Sequence, residues 1–407
     1  MRDVRDKFIL VVQTTVPVTI DSFFKGQLKW LSERGVDVHV VSSPGAALAH
    51  VAEREGICVH EVPMKRRVTP FADIGALFRL VALYRRLRPD VVHGFTPKGG
   101  LLAMIAARIA AVPVRVYTIL GLVHTGRTGL QKHLMCLTER LSCRLANRVY
   151  CECSSILEVA VREQITPARK ASVLPAWNFN GIADILDRSR KRSEYRQRVL
   201  TSLGIIGPAL VIGFVGRIVP DKGIAELVHT HQILVREFPS LRLLLVGSPE
   251  KEQPLNRSVW RYLDSTPQVH CVGFQADPVP YLAAMDVLLL PSYREGLPTV
   301  PLEAAAMGLP VVTTDIPGCV DALMAGETGF IVPAHDSAAL TDATRTMLAS
   351  QELRVRMGTA GRDWVSQKAN TETTWHELLH DYRQLLNEHA GPSLTGEKTN
   401  AQNYFTE

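Results

Sequence analysis

Short apolar runs alternate with longer amphipathic stretches along almost the whole chain. Runs of about four to seven residues bounded by charged residues, Gly or Pro read as buried strands, and stretches with apolar residues three and four apart read as helices. In the first half the runs fall at 8–13, 36–41, 57–62, 90–93, 114–118 and 148–153. Helical spacing occupies 21–33, 71–88, the stretch after the Pro-Lys-Gly-Gly turn at 97–100, and 130–146. In the second half the runs fall at 209–215, 241–246, 270–272, 287–290, 310–314 and 329–332, with helices at 302–307, 337–349, 352–367 and 373–387. Strands alternating with helices imply parallel sheets with right-handed crossovers, an α/β class. A polar, charged stretch at 183–204 separates the two series, so the expected units are 1–182, a linker at 183–204, 205–370, a last helix at 371–390 and a disordered tail at 391–407.

The segment 286–314 is the most informative. An apolar strand, 287–290, leads into a loop carrying Arg294 and Glu295; Pro298 and Pro301 stand where a helix would begin, and Gly308 ends that helix before the next strand. Such a loop lies at the carboxyl edge of a doubly wound sheet, where ligands bind. Glu295 is placed in the loop and Glu303 in the helix's first turn. Helix N–H groups suit a phosphate, and a carboxylate suits vicinal hydroxyls, so together they describe a site for a sugar joined to a nucleotide.

Composition narrows the setting. The net charge is +6, but residues 64–148 hold fifteen Lys/Arg against Asp73, Asp90 and Glu139. No nucleic-acid-binding motif accompanies this excess, so an anionic membrane surface is the expected partner rather than nucleic acid. The helices at 71–88 and 130–146 combine leucines with basic residues; their apolar faces are expected to pack on their own sheet, with the basic edge toward a bilayer. No apolar run is long enough to span a membrane, and the N-terminal stretch lacks the long apolar core of a signal peptide. Seven scattered cysteines fit a reducing cytosol, and Cys151 and Cys153 read as strand residues rather than metal ligands. No Gly-x-Gly-x-x-Gly follows the first strand, so no dinucleotide cofactor is indicated, and no Asp-x-Asp motif is present to hold a metal.

The residues Pro291, Ser292, Glu295, Gly296, Pro298, Leu302, Glu303, Ala304, Gly308, Pro310 and Val311 resemble the Glu-x7-Glu signature of retaining, nucleotide-sugar-dependent glycosyltransferases of family four, which have the two-domain GT-B fold. The resemblance implies two Rossmann-like domains facing a cleft, with the last helix crossing back to the first domain. It places Glu295 on the donor sugar and Glu303 on the ribose, and it places Arg217 and Lys222 of the segment GRIVPDKG on the donor diphosphate. Fixed cations there would stabilise charge growing on the leaving phosphate. Gly216, Gly296, Pro298 and Thr299 belong to the same donor site, and Phe274 to the base. The segment GETGFIVP (326–333) is also typical of the family. Around 175–182 the sequence keeps Asn180 and Gly181 but carries Pro175, Ala176 and Trp177 where relatives have small residues.

The first-domain loops resemble those of the capsule, exopolysaccharide and O-antigen branch, whose acceptor is usually a lipid-linked sugar diphosphate. Lys98 and His93 are then candidates for the acceptor, and His124 for donor sugar or acceptor; each could equally be an ordinary loop residue. The implied activity is a hexosyl- or N-acetylhexosaminyltransferase using a nucleoside diphosphate sugar, a UDP-sugar first, with a polyprenyl-diphosphate-linked saccharide as acceptor, and retaining the anomeric configuration without metal or cofactor. It is expected in the cytoplasm, peripheral to the inner face of the plasma membrane. A nucleotide-sugar 2-epimerase on the same fold, or a non-catalytic partner subunit, are the alternatives.

Overall fold

The computed structural model describes residues 7–389 apart from 68, 175–181, 251–252 and 370. Residues 175–181 and those from 391 onward, for which sequence expectations were given, lie outside the described residues. The first sheet contains β1 (Phe8–Gln13), β2 (Val36–Ser42), β3 (Cys58–Glu61), β4 (Val91–Phe95), β5 (Val114–Ile119), β6 (Arg148–Cys151) and β7 (Ala171–Val173). Its order is β3-β2-β1-β4-β5-β6-β7, and all pairs are parallel. The second sheet contains β8 (Leu210–Val215), β9 (Leu241–Val246), β10 (Val269–Cys271), β11 (Val287–Leu290), β12 (Val311–Thr314) and β13 (Gly329–Val332), in the order β10-β9-β8-β11-β12-β13. The strands expected from the apolar runs are all present. Sequence pattern did not show the edge strand β7 or the helices Ala46–Glu55 and Ser154–Arg162, and the single helix expected at 21–33 is two, Pro17–Phe23 and Gln27–Glu33, broken at the left-handed Gly26.

Both sheets are covered on both faces, as the near-continuous apolar strands require. In the first unit, alternate strand residues serve alternate layers: Val11 and Val92 face the helices Pro70–Leu87, Pro97–Ile109, Gly129–Leu145 and Ser154–Arg162, while Leu10, Val12, Val91 and Phe95 face the opposite layer. That opposite layer includes the last helix, Thr371–His389, whose Leu378, Leu379, Tyr382, Leu385 and Leu386 are buried against β1 and β4. The end of the chain thus returns to the first sheet. Arg148 and Asp381 are paired at 3.3 Å, and Trp30 stands edge-on to Trp375. No described helix is long and apolar enough to cross a membrane.

His93 shares its side of β4 with Val91 and Phe95, so it points at the last helix and not at the cleft. It is fully buried, with Nδ1 2.5 Å from the Tyr382 hydroxyl and Nε2 2.7 Å from the Thr118 hydroxyl, and it stacks on Phe95. The expectation that His93 touches the acceptor is therefore corrected: both ring nitrogens are used in the core.

Burial holds the His93 imidazole well below its ordinary pKa, and burial with Arg242 nearby lowers His231 to about 4. Both groups titrate near 6.5 when the chain unfolds, so the unfolded state takes up protons first as the pH drops. Stability is expected to be full above about pH 6.5 and to fall below it, His231 contributing down to about 4; urea midpoints measured from pH 7.5 downward check this. Tyr382→Phe removes the partner of His93 Nδ1 and is expected to lower unfolding free energy by about 1–3 kcal/mol at neutral pH.

Candidate active site

β8 and β11 are neighbours where the strand order of the second sheet reverses, so the loops that follow them leave side by side and open a crevice. Gly223 lets these loops touch. Its φ is 68°, and a Cβ there would stand 2.0 Å from the Pro291 carbonyl oxygen. The Tyr293 N–H donates to the Asp221 carbonyl at 2.9 Å, and Arg294 donates to the Asp221 carboxylate at 3.1 Å. Held this way, Lys222 Nζ meets Glu295 Oε1 at 2.5 Å, both side chains mostly shielded from solvent. Arg217 donates to Glu250 at 2.9 Å, and Arg66 of the first unit approaches the same carboxylate at 3.7 Å from across the cleft.

The helix Thr299–Ala306 starts after Pro298, and no side chain caps its first N–H groups. Glu303 is the fifth residue of that helix, one turn further in than expected from the sequence. Burial raises its carboxyl pKa; a hydrogen bond from Thr299 and the charge of Lys25 on the first unit act in the opposite direction. Phe274 is 75% exposed beside Gly273 on the rim, and Gly216 follows β8 in an extended turn.

The two units meet at the Glu295 loop. Glu152, next to β6, is buried, and its Oε2 accepts the Leu297 N–H at 2.9 Å. Gly296 fits between this carboxylate and the Leu120 carbonyl, and a Cβ on Gly121 would come within 3.0 Å of Gly296 N. Ser155 Oγ accepts the Gly318 N–H at 2.7 Å, and the Ser155 N–H donates to Asp321 at 3.1 Å. Sequence reasoning missed Glu152, Ser155, Asp321 and Glu250. A trace of Glu152 existed: a charged residue between two apolar cysteines at a strand end.

Two further expectations need correction. Lys98 does not face the cleft as a free cation. Its ammonium lies 2.5 Å from Asp73 and donates to the carbonyls of Lys65 and Arg67 at 2.7 and 2.6 Å, using its three donors to tie Lys65 and Arg67 to the first turn of the helix Pro70–Leu87. His124 lies in the loop that brings Gly121 to Gly296, but its ring is buried in the first unit, with Nε2 2.8 Å from Glu163. Among the described residues, His124, Cys136 and Glu163 form the one trio with ligand atoms within 4.8 Å of one another, and the histidine–carboxylate hydrogen bond accounts for it. At the first sheet's own switch point, between β1 and β4, stand Thr15 and Thr96, with hydroxyls 2.9 Å apart. Thr96 has φ 65°, a strained conformation for a β-branched residue and of a kind that clusters at ligand sites. A shallow depression lined by Lys7, Arg34, His376 and Arg383 lies at the amino edge of this sheet, away from the cleft.

The sequence profile described as "Glycosyl transferases group 1" matches residues 197–364, and that described as "Glycosyl transferase 4-like" matches residues 10–153. The chain is 31% identical over 386 residues to the capsular polysaccharide biosynthesis glycosyltransferase CapM of Staphylococcus aureus, covering 94% of this chain and 98% of that protein. It is 26% identical over 277 residues to the UDP-Gal:alpha-D-GlcNAc-diphosphoundecaprenol alpha-1,3-galactosyltransferase of Escherichia coli, covering 67% and 69%. HepE of Anabaena, solved with UDP, superposes with a TM-score of 0.72 at 18% identity, covering 93% of this chain and 100% of that one. WaaG, a glycosyltransferase involved in lipopolysaccharide biosynthesis, does so with a TM-score of 0.68 at 16% identity, covering 94% and 100%. At these identities the structural likeness concerns the fold.

A Cβ on Gly318 would stand 1.5 Å from the Gly296 carbonyl oxygen, whereas one on Gly326 meets nothing, although both residues have φ near 80°. Gly318→Ala and Gly326→Ala therefore share a backbone strain of about 1–2 kcal/mol, but only the first must push the Glu295 loop. Gly318→Ala is expected to lower transferase turnover at least about tenfold, and Gly326→Ala to leave it near wild type; steady-state assays beside thermal melts separate the two.

Proposed function

The chain belongs to the GT-B glycosyltransferases, and on that premise we propose that it moves a hexosyl or N-acetylhexosaminyl group from a UDP-sugar to a polyprenyl-diphosphate-linked saccharide, with retention, in bacterial surface polysaccharide synthesis. The observation that carries this reading is the Lys222–Glu295 pair at the switch point of the second sheet, beside Arg217 and an uncapped helix start. The Staphylococcus aureus relative named for capsular polysaccharide synthesis supports the pathway class, and the Escherichia coli relative, named for a UDP-sugar and a diphosphoundecaprenol acceptor, supports the donor and acceptor classes.

In this mechanism Arg217 and Lys222 face the donor diphosphate. Charge grows on the leaving phosphate as the glycosidic bond breaks, and cations fixed in a shielded cleft stabilise that state more than the ground state. Lys222 is held in place by Glu295 and the Gly223 contact, so it need not reorganise as the reaction proceeds. Glu295 orients the donor sugar while restraining Lys222, and Glu303 takes the ribose hydroxyls. The acceptor hydroxyl attacks from the face the leaving group departs, and its proton passes to the leaving phosphate. The acceptor approaches the first-sheet crevice at Thr15 and Thr96, in place of His93 and Lys98, which are engaged elsewhere. Closure of the cleft excludes water and limits hydrolysis.

A thermal-shift panel of UDP, GDP, ADP and their common sugars tests the donor, since a ligand that binds only the folded state raises its melting point. UDP and one UDP-sugar are expected to stabilise; stabilisation by none would sink the donor reading, and an epimerised sugar formed from donor alone would replace transfer with 2-epimerisation. Arg217→Ala is expected to lower kcat by about a hundredfold with a smaller effect on donor Kd, whereas Glu303→Ala mainly raises donor Kd. Because burial raises the Glu303 pKa, donor affinity should begin to weaken at a higher pH than an ordinary carboxylate would dictate as the solution is acidified, and Glu303→Gln should flatten that profile.

A further inference from the structure

Four cationic side chains converge at the amino edge of the first sheet, the edge opposite the cleft. Lys7 stands just ahead of β1, Arg34 follows the helix Gln27–Glu33, and His376 and Arg383 come from the last helix. With Gly35 and Leu379 they line a depression of about 370 Å³, and no acid is among the lining residues. His376, Leu379 and Arg383 are spaced by three, four and seven positions, so they share one side of their helix. Leu379 is buried against the sheet, and the cations stand around it. The depression is thus built jointly by the start of the chain's first sheet and by the helix that returns to it.

These cations lack the partners that charged groups nearby have found. Arg148 meets Asp381 of the last helix, whereas among the described residues Lys7, Arg34, His376 and Arg383 are in no ion pair. The Nε of Arg383 is buried without a hydrogen-bond acceptor. Buried polar groups are rarely left so, and a bound ion is one way of satisfying them. Arg34 is held in place before any ligand arrives: its guanidinium lies 3.9 Å over the Trp30 ring and donates to the Trp30 carbonyl at 3.4 Å. His376 stands edge-on to the same ring, with centroids 4.6 Å apart. Like charges gathered without an acid repel one another, and an anion between them removes that repulsion. Side chains already fixed in position lose little freedom on binding it.

We propose that this depression is a second binding site, separate from the cleft, for a small phosphorylated anion carrying two or more negative charges. Lys7, Arg34 and Arg383 are charged at neutral pH, which matches a diphosphate better than a single carboxylate. The two guanidinium forks suit phosphate oxygens. The volume is that of a small ligand site. Trp30 is engaged by Arg34 and His376, so its ring offers no open face for a base, and the phosphates are the recognised part. A ligand here touches the approaches to β1 and β2 and the last helix at once, so its binding favours the docked position of that helix. The site does not rest on the transferase reading.

The test is isothermal titration of the full chain with pyrophosphate while UDP at saturation occupies the cleft, with sulfate at matched ionic strength as the control anion. Hydrogen exchange over 371–389 is followed alongside. Pyrophosphate is expected to bind with a Kd below about 1 mM, sulfate at least about tenfold more weakly, and pyrophosphate should slow exchange in the last helix. Arg34→Gln with Arg383→Gln should weaken pyrophosphate at least about tenfold and abolish the added protection, while the UDP thermal shift stays unchanged. Lys7→Gln, at an exposed position ahead of β1, removes one charge without touching the helix packing and should weaken binding about threefold. Arg217→Ala, in the cleft, should leave this site's affinity unchanged. No pyrophosphate binding with the cleft occupied, equal affinity for sulfate, or undiminished binding in the Arg34/Arg383 and Lys7 variants would each overturn the proposal. A missing UDP shift, with pyrophosphate binding that the Arg34/Arg383 variant removes, would instead overturn only the transferase reading.

Discussion

The acid of Glu152 on the amide of Leu297 sets the spacing on which the rest of the site depends. It is a buried hydrogen bond between the two units, whose cores join here through Leu297 and Ala322, and it grips the loop that carries Glu295. Burying a carboxylate is unfavourable unless donors surround it. Here the sequence supplies a glycine at 296, so the acid can sit against the backbone, and another at 121, so the opposing loop can close in from the other side. Ser155, Gly318 and Asp321 repeat the arrangement one layer away. The units therefore touch backbone to backbone beside the Glu295 loop.

At the cleft the charged side chains are paired with one another. Lys222 is joined to Glu295, Arg217 to Glu250, and Arg294 to Asp221. Such pairs need not add much to stability. Their effect is to hold long, flexible side chains in one place before any ligand arrives, which is the condition for stabilising a transient charge without reorganisation.

How much of this was legible in the sequence follows from how local each feature is. The strands and the Lys222 and Glu295 loops were legible because short apolar runs and proline and glycine positions are decided within a few residues. The helix bearing Glu303 was legible too, but its first turn was placed too late, at 302, whereas it begins at Thr299 directly after Pro298. His93, Lys98 and His124 were read as cleft residues because they adjoin cleft loops. Their partners, Tyr382, Asp73 and Glu163, are distant in sequence and could not be paired in advance. For His93 a clue was available: it alternates in phase with Val91 and Phe95, so it had to share their buried side.

The hydrogen bond between His93 and Tyr382 joins residues 289 positions apart. One face of the first sheet, lined by Phe8, Leu10, Val91 and Phe95, is covered by the helices Pro17–Phe23, Gln27–Glu33 and Ala46–Glu55 and, for the rest, by the helix Thr371–His389, which is made after the second unit. During synthesis the first unit can pair its strands and cover its other face, yet the part of this apolar face that the last helix covers must wait open while the entire second unit is made. A nascent chain in that condition is exposed to aggregation for the time needed to translate the remainder. Contact order here is a matter of biogenesis: the second unit is an insertion, in time as well as in space, between the first sheet and the helix that completes it.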